Sequence, residues 1–160
     1  IMIQALRNTD GRIKNNQSVT PGFLLAALLW PKLISRCIKN NEINIRKFFR
    51  SMDGVLREQQ KLTAVPRKFN SYIKDIWVLQ LKLHSRIKSQ PYKIIRHPRF
   101  RAAYDFLLVR EQASSDKNGL GKWWTDFQKN DDSLRGSLIA RIIEKSDTDS
   151  SKKFGFYNEL

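Results

Sequence analysis

The chain has 160 residues, of which 30 are Lys or Arg and 15 are Asp or Glu, so its formal net charge is +15 at pH 7. Its length suits one domain with a proper core or two very small ones. A positive excess of this size indicates a polyanionic partner, either nucleic acid or an anionic membrane surface. The four Trp, four Tyr and nine Phe residues exclude a disordered basic tail, because such tails lack aromatic residues.

The residue inventory excludes several chemistries. Cys37 is the only cysteine, which excludes an intramolecular disulfide and a cysteine-ligated zinc site and is typical of a cytoplasmic protein. The longest apolar run, residues 23–30, is far shorter than the roughly 20 residues that cross a bilayer, so we predict no transmembrane helix. His84 and His97 have no neighbouring acidic or cysteine residues at metal-ligand spacing. Paired carboxylates, a nucleophile elbow and a phosphate-binding glycine loop are also missing, so we predict no catalytic residue and no metal in this chain.

Apolar residues recur at helical spacing along most of the chain, and strand-type alternation is nearly absent. The predicted fold is therefore all-α, an irregular bundle of about six helices. These helices are predicted over residues 22–39, 45–62, 67–88, 98–113, 123–129 and 134–145. Thr20 and Pro21 form a typical helix start, whereas Pro31 is expected to break or kink the first helix just after Trp30. A short turn is predicted over residues 92–96.

Two parts of unequal size are predicted along the chain. Residues 1–130 are expected to form one helical body, and residues 131–160 a short helix followed by a loosely ordered tail. Asp131 and Asp132 are adjacent, which turns their side chains apart on a helix, so we expect them to cap that short helix.

The positive charge is concentrated between residues 61 and 101. This stretch holds eleven of the basic residues, whereas Asp75 is its only acidic residue. An ordinary solvated helix face usually mixes charges of both signs, so this bias favours phosphate contacts. The candidate RNA-contact residues are Arg67, Lys68, Lys74, Lys82, Arg86, Lys88, Lys93 and Arg96.

The stretch "HPRFRAAYDFLLVRE", residues 97–111, mixes arginines with aromatic residues but has the pattern of a core helix. Its apolar residues fall on two stripes, which predicts a helix packed on two sides. Arg110 lies between these stripes, so we predict a structural role with an internal carboxylate or carbonyl partner. Trp123 and Trp124 could stack on bases, but adjacent residues cannot share one helix face, and a buried structural anchor is favoured for at least one.

Four stretches in this order and at this spacing resemble the C-terminal helical region of the bacterial poly(A) polymerase I family. They are "VTPGFLLAALLWPKL", "RKFNSYIKDIWVLQLKL", "HPRFRAAYDFLLVRE" and "KWWTDFQ", and the resemblance covers roughly residues 1–129. The family belongs to the nucleotidyltransferase superfamily, which also contains the CCA-adding enzymes. It transfers AMP from ATP to RNA 3′ ends with two Mg²⁺ ions held in an N-terminal catalytic head.

The resemblance implies that this chain is the RNA-binding helical body of such an enzyme. No stretch of the chain matches the head, so ATP and Mg²⁺ are expected there and no cofactor is expected here. The implied partners are RNA 3′ ends and the protein's own catalytic head. The family commonly ends in a long basic tail, whereas this chain ends "SSKKFGFYNEL". Two alternatives remain: the equivalent body of a CCA-adding tRNA nucleotidyltransferase, and a stand-alone basic adaptor that binds a protein or an anionic membrane.

Overall fold

The computed structural model describes residues 3, 7, 20–39, 42–63, 66–114 and 119–148. The fold is all-α, as predicted. The helices of residues 20–148 are α1 (Pro21–Cys37), α2 (Ile45–Leu62), α3 (Asn70–Lys82), α4 (Gln90–Ile95), α5 (Phe100–Ala113), α6 (Leu120–Lys129) and α7 (Asp132–Thr148). A 3-10 turn, Arg67–Phe69, precedes α3, and the two-residue strands Ile38–Lys39 and Glu42–Ile43 pair antiparallel between α1 and α2. Within these ranges no helix is both long enough and apolar enough to cross a membrane.

Helix α1 continues through Pro31, so of the predicted break or kink after Trp30 the break is wrong. A proline inside a helix costs about 3 kcal/mol or more, because it removes one hydrogen bond and crowds the preceding turn. The apolar face of α1 continues on both sides of Pro31, from Trp30 to Leu33 and Ile34, and all three side chains are buried. Burial of this face outweighs the local penalty, while Pro31 itself is exposed.

Helix α3 ends at Lys82, six residues earlier than predicted. The indole Nε1 of Trp124 donates a hydrogen bond of 2.9 Å to the carbonyl oxygen of Leu83. That oxygen is the acceptor that the amide of Ile87 would need if α3 continued. The chain instead leaves the helix in a turn, in which the amide of Ser85 donates to the carbonyl oxygen of Lys82.

Two more predicted elements differ from those observed. The turn expected over residues 92–96 is largely the short helix α4, and the last helix begins at Asp132 rather than at residue 134. The amide of Leu134 donates to Asp131 Oδ1 over 3.0 Å, which confirms Asp131 as a helix cap. The tail was expected to be loosely ordered from residue 146, but residues 146–148 are the end of α7, and the rest of the tail lies outside the described residues.

Helix α5 lies between two apolar cores, which confirms the prediction of a helix packed on two sides. Its residues Phe106 and Val109 join the first core, with α1, α2 and most of the apolar face of α3. Its opposite stripe, with Phe100 and Leu107, joins the second core, with α4, α6 and α7. Helix α5 also carries an ion pair four residues apart, since Arg101 Nε lies 3.1 Å from a carboxylate oxygen of Asp105.

Trp123 and Trp124 are both buried in the second core. Trp124 is fully buried and contacts Phe100, with 5.4 Å between ring centroids. Trp123 stacks on Phe127 at 5.0 Å with an angle of 15° between the rings. Both tryptophans also contact Phe127, Trp123 in a stack and Trp124 edge to face with centroids 5.6 Å apart, so both serve as buried anchors of the second core.

Arg110 is buried beside Gln80, a residue of α3 that is completely buried. Arg110 Nη1 donates to Gln80 Oε1 over 3.1 Å, and Gln80 Nε2 donates to the carbonyl oxygen of Ala103 over 2.9 Å. The guanidinium carbon of Arg110 also lies 4.9 Å from the ring centroid of Trp30. The amide of Gln80 thus links α3 to α5 at two points inside the protein.

We predict that Trp124→Phe lowers the free energy of unfolding by about 1–3 kcal/mol, because the buried carbonyl of Leu83 loses its indole donor. The change is read from the midpoint of a urea titration. Trp123→Phe is the matched control, since Trp123 Nε1 has no hydrogen-bond partner among the described residues. Equal losses in the two variants would contradict the assigned role of the Trp124 indole.

A double-mutant cycle tests the contact between Arg110 and Gln80. Arg110→Met removes a donor from a buried amide oxygen, so we expect a loss of about 1–3 kcal/mol in the free energy of unfolding. With Gln80→Leu in the same chain, the two losses are expected to couple by about 1 kcal/mol or more. Arg101→Met is the surface control and is expected to cost less than about 1 kcal/mol. Additive losses at Arg110 and Gln80 would show that the two side chains act independently.

Candidate nucleic-acid interface

The predicted RNA-contact residues do not form a single site, because they flank α3 at both of its ends. Arg67 and Lys68 lie in the 3-10 turn before α3, whereas Lys82 is its last residue. A helix of 13 residues extends over about 18 Å between its first and last Cα atoms. The structure therefore divides the predicted set into an N-terminal group and a C-terminal group.

The N-terminal group consists of Arg67, Lys68 and Lys74. Arg67 and Lys68 are exposed, and the ammonium nitrogen of Lys68 lies 5.4 Å from the ring centroid of Phe69. Lys74 differs from them because its ammonium group is ion-paired with the carboxylate of Asp53 on α2. Lys74 therefore neutralises a carboxylate of the neighbouring helix, and its own charge is already compensated.

Arg99 extends this N-terminal group and is absent from the predicted set. It lies directly before α5, is exposed, and places its guanidinium carbon 4.9 Å from the ring centroid of Tyr72. The contact brings a third exposed cation to the N-terminal end of α3. Sequence spacing could not reveal it, since Arg99 lies before α5 whereas Tyr72 lies in α3.

The C-terminal group consists of Lys82, Arg86, Lys88, Lys93 and Arg96. No acidic residue occurs between Asp75 and Asp105, so no carboxylate of this segment offsets the charge of the group. All members except Arg86 are exposed. Within the described ranges, none of the five has a carboxylate at ion-pair distance, and the charges of the four exposed members remain available to a polyanion.

Arg86 lies on the inner side of the loop between α3 and α4. Its guanidinium carbon is 5.6 Å from the ring centroid of Trp123, and its Nε is buried. Burial lowers the pKa of Arg86 from its ordinary value. The cation–π contact with Trp123 partly offsets the cost of removing the charge from water. Of the C-terminal group, Arg86 is thus the member held against the protein rather than presented to solvent.

Lys88 has a backbone φ of 53°, in the left-handed region that side chains other than glycine rarely adopt. The conformation ends the loop after α3 and directs the chain into α4, which begins two residues later. The left-handed conformation costs more conformational free energy for a lysine than for a glycine or an asparagine. The side chain is exposed, so the strain is not offset by its burial.

A further group of exposed cations on α2 was not predicted. Arg46, Arg50, Arg57 and Lys61 are all exposed. Their spacing of four, seven and four residues places them on one side of the helix. We call this face the α2 stripe. The spacing is visible in the sequence, but α2 also contains Asp53 and Glu58, so its charges are more mixed in sign than those of residues 61–101.

Within the part of the chain that the structure describes, no group of three or more His, Cys, Asp and Glu side chains could hold a metal ion. What the described surface offers chemically is exposed positive charge on α2, on α4 and around both ends of α3. Such a surface contacts a polyanion by neutralising its phosphates rather than by reacting with it.

His84 precedes Arg86 in the same loop and is largely buried. Burial lowers the pKa of His84 to about 4, with smaller contributions from the charges of Arg110 and Arg86. Its imidazole is therefore neutral in the folded protein at neutral pH. The charge of the loop between α3 and α4 comes from Arg86 and Lys88 alone.

The stability of the chain is expected to depend on pH through His84. Between about pH 6.5 and pH 4 the unfolded chain binds a proton that the folded chain excludes, so the free energy of unfolding falls as the pH is lowered through this window. The loss reaches up to about 3 kcal/mol. Urea titrations across this range should show that the free energy of unfolding depends less steeply on pH in His84→Gln than in the wild type. His97→Gln is the control. If the pH dependence of the free energy of unfolding became less steep in that variant alone, the assignment of this dependence to His84 would be contradicted.

Comparison with known proteins places the chain in a family. Residues 40–154 match the family model described as the polymerase A arginine-rich C-terminus. The chain is 36% identical to poly(A) polymerase I of Salmonella typhimurium and 37% identical to that of Escherichia coli, in each case over 134 residues. It is 33% identical to poly(A) polymerase I of Haemophilus influenzae over 144 residues.

The aligned region makes up most of this chain but a small share of each relative. The first two alignments cover 80% of this chain but 29% of the relative, and the third covers 87% and 32%. The chain thus spans less than a third of the length of the curated relatives it matches. The family match extends over most of the helices that carry the exposed cations, from the residues before α2 to the end of α7 and beyond. The chain belongs to the family of the polymerase A arginine-rich C-terminus.

Proposed function

We propose that this chain is the RNA-binding helical body of a polynucleotide adenylyltransferase, which adds AMP from ATP to RNA 3′ ends in the cytoplasm. The body holds the RNA, while a catalytic head in another part of the same protein carries out the transfer with ATP and Mg²⁺. The observation that carries the proposal is the group of exposed cations after α3, in a stretch without a carboxylate. Membership of the polymerase A family supports the identity of the substrate.

The proposed mechanism of the body is electrostatic. Lys82, Lys88, Lys93 and Arg96 neutralise phosphates and release the counterions condensed on the RNA. Such contacts position the RNA strand but recognise little of its base sequence. This suits an enzyme that must accept many different 3′ ends. Arg67 and Lys68 supply further phosphate contacts at the other end of α3.

Arg86 and Lys74 have supporting roles in this proposal. Arg86 is held against Trp123, so it contributes to the local positive potential without reaching the strand. Lys74 is paired with Asp53, so it removes a negative charge from the surface. Arg110, Trp123 and Trp124 are proposed to be structural, since their side chains are buried.

Two alternative functions are distinguished by simple assays. The body of a CCA-adding enzyme would require CTP as well as ATP incorporation by the protein that contains the head. The relatives reported above are named poly(A) polymerase I, which favours ATP alone. An adaptor for anionic membranes would bind vesicles of phosphatidylglycerol at least as tightly as RNA at the same ionic strength.

The first test measures binding of the 160-residue chain to a fluorescein-labelled single-stranded RNA at increasing salt. We expect the logarithm of the affinity to fall linearly with the logarithm of the salt concentration, with a slope of about −0.7 for each phosphate contact. An affinity that does not change with salt would contradict the proposal. Preferential binding to the phosphatidylglycerol vesicles would contradict it as well.

The second test assigns the contacts. We expect Lys93→Gln combined with Arg96→Gln to reduce the magnitude of the salt slope by about 1.4, because two phosphate contacts are lost. The matched control combines Lys129→Gln with Arg141→Gln, which removes the same charge from exposed positions on α6 and α7. Equal slopes for the two double variants would show that net charge alone determines binding.

A further inference from the structure

We propose that the α2 stripe, together with the exposed ring of Phe49, is a binding surface for single-stranded RNA. The stripe supplies phosphate contacts, and Phe49 supplies a stacking platform for an unpaired base. The inference rests on the proposed function and assigns a second part of the surface to the same ligand. It is carried by four observations: the geometry of the stripe, the pairing of its neighbouring carboxylates, its continuity with the 3-10 turn, and the exposure of one aromatic ring.

The geometry of the α2 stripe is that of a line. At about 100° per residue, Arg46, Arg50, Arg57 and Lys61 lie within an arc of about 60° around the helix axis. Arg46 and Lys61 are separated along the axis by about 22 Å, given a rise of about 1.5 Å per residue. Four exposed cations on one edge of a rigid helix match a linear polyanion better than a compact one.

The carboxylates of α2 do not compensate these cations. Asp53 and Glu58 are the only acidic residues of α2, and Asp53 lies on the stripe itself. At spacings of three and four residues, an exposed helix commonly pairs such carboxylates with its own Arg and Lys side chains. Asp53 is instead paired with Lys74 of α3.

Glu58 is likewise bound from outside α2. It accepts a hydrogen bond of 2.7 Å from Arg36 Nη2 and lies 2.9 Å from Lys32 Nζ, both on α1. These two cations lower the pKa of Glu58 to about 2, so its carboxylate remains charged and engaged. Because both carboxylates form ion pairs with side chains of neighbouring helices, the cations of the stripe have no carboxylate partner within the described ranges. The same ion pairs join α2 to α1 and α3.

The α2 stripe continues into the N-terminal group at α3. Lys61 is the penultimate residue of α2, and Arg67 and Lys68 follow it after a short connection. Gln60 Nε2 donates to Asn70 Oδ1 over 3.1 Å, which holds the end of α2 beside the start of α3. The exposed cations therefore continue from α2 to the 3-10 turn, where the end of α2 lies beside the start of α3.

Phe49 gives this surface a feature that a simple basic face lacks. Its side chain is 47% exposed, although Phe48 beside it is completely buried. The two rings meet edge to face, with centroids 5.8 Å apart, so Phe49 packs on the buried Phe48 while about half of its side chain remains exposed. Phe49 lies between Arg46 and Arg50 in the sequence and borders the stripe at about 60° from Arg46. Basic residues beside an exposed aromatic ring are typical of single-strand binding, because an unpaired base can stack on the ring.

Two variants separate the phosphate contacts from stacking. We expect Arg50→Gln combined with Arg57→Gln to weaken single-stranded RNA binding about tenfold near 0.1 M salt and to reduce the magnitude of the salt slope by about 1.4. Phe49→Ala is expected to weaken it about tenfold with an unchanged slope, because stacking releases no counterions. The binding of duplex RNA is expected to change with the arginine variant and not with Phe49→Ala.

Controls exclude effects of folding and of net charge. Arg50→Lys combined with Arg57→Lys retains the charge, and Phe49→Trp retains a ring, so both are expected to bind as the wild type does. Lys129→Gln combined with Arg141→Gln is the charge-matched control on other helices. Urea titrations of all variants check that the exposed substitutions leave the free energy of unfolding within about 1 kcal/mol of the wild type.

The outcomes separate this inference from the proposed function. If the wild-type chain binds RNA with a salt-dependent affinity but the Arg50, Arg57 and Phe49 variants bind like the control, the α2 surface is not a contact and only this inference is overturned. If the wild-type chain does not bind RNA, the proposed function is overturned together with it. Loss in the arginine variant without loss in Phe49→Ala would overturn the stacking role.

Discussion

The structure depends on a buried polar contact between α3 and α5, in which the side-chain amide of Gln80 binds Arg110 and the carbonyl of Ala103. A charged group inside an apolar core is tolerated only where its hydrogen-bonding groups have partners. The ring of Trp30 covers the guanidinium from the side of α1. This requirement allows few alternative positions of α5 on α3, and both apolar cores are assembled on that pair of helices.

The same arrangement determines which charges reach the surface. Lys74, Lys32 and Arg36 bind the carboxylates of α2 and so join the helices of the first core. The carboxylates are thereby engaged in contacts between helices. The exposed cations of α2 and of the loop and helix after α3 are left without carboxylate partners in the described ranges. The ion pairs that join the helices therefore also leave the exposed cations of the described part of the chain free of intramolecular carboxylates, and these are the cations that the proposed RNA binding requires.

Patterns that repeat along the chain predicted much of the fold. The two stripes of α5 were visible in residues 97–111, because a helix repeats every 3.6 residues whatever it packs against. The end of α3 and the continuation of α1 through Pro31 were not predictable in this way. The end of α3 depends on a residue distant in sequence, since Trp124 binds the carbonyl of Leu83, and the continuation of α1 depends on the burial of its apolar face in the first core. The eight predicted contact residues likewise formed a single set in the sequence and two groups in space.

By itself, the sequence determined the all-α class, the basic character and the family resemblance, because composition, periodicity and motif order are properties of the chain alone. Tertiary structure decided which charges are compensated and which are exposed. Arg86 and Lys93 look alike in a list of cations, yet one rests on Trp123 and the other faces solvent. Ion pairing and burial are set by partners on other helices, and their positions follow only from the packing of the two cores.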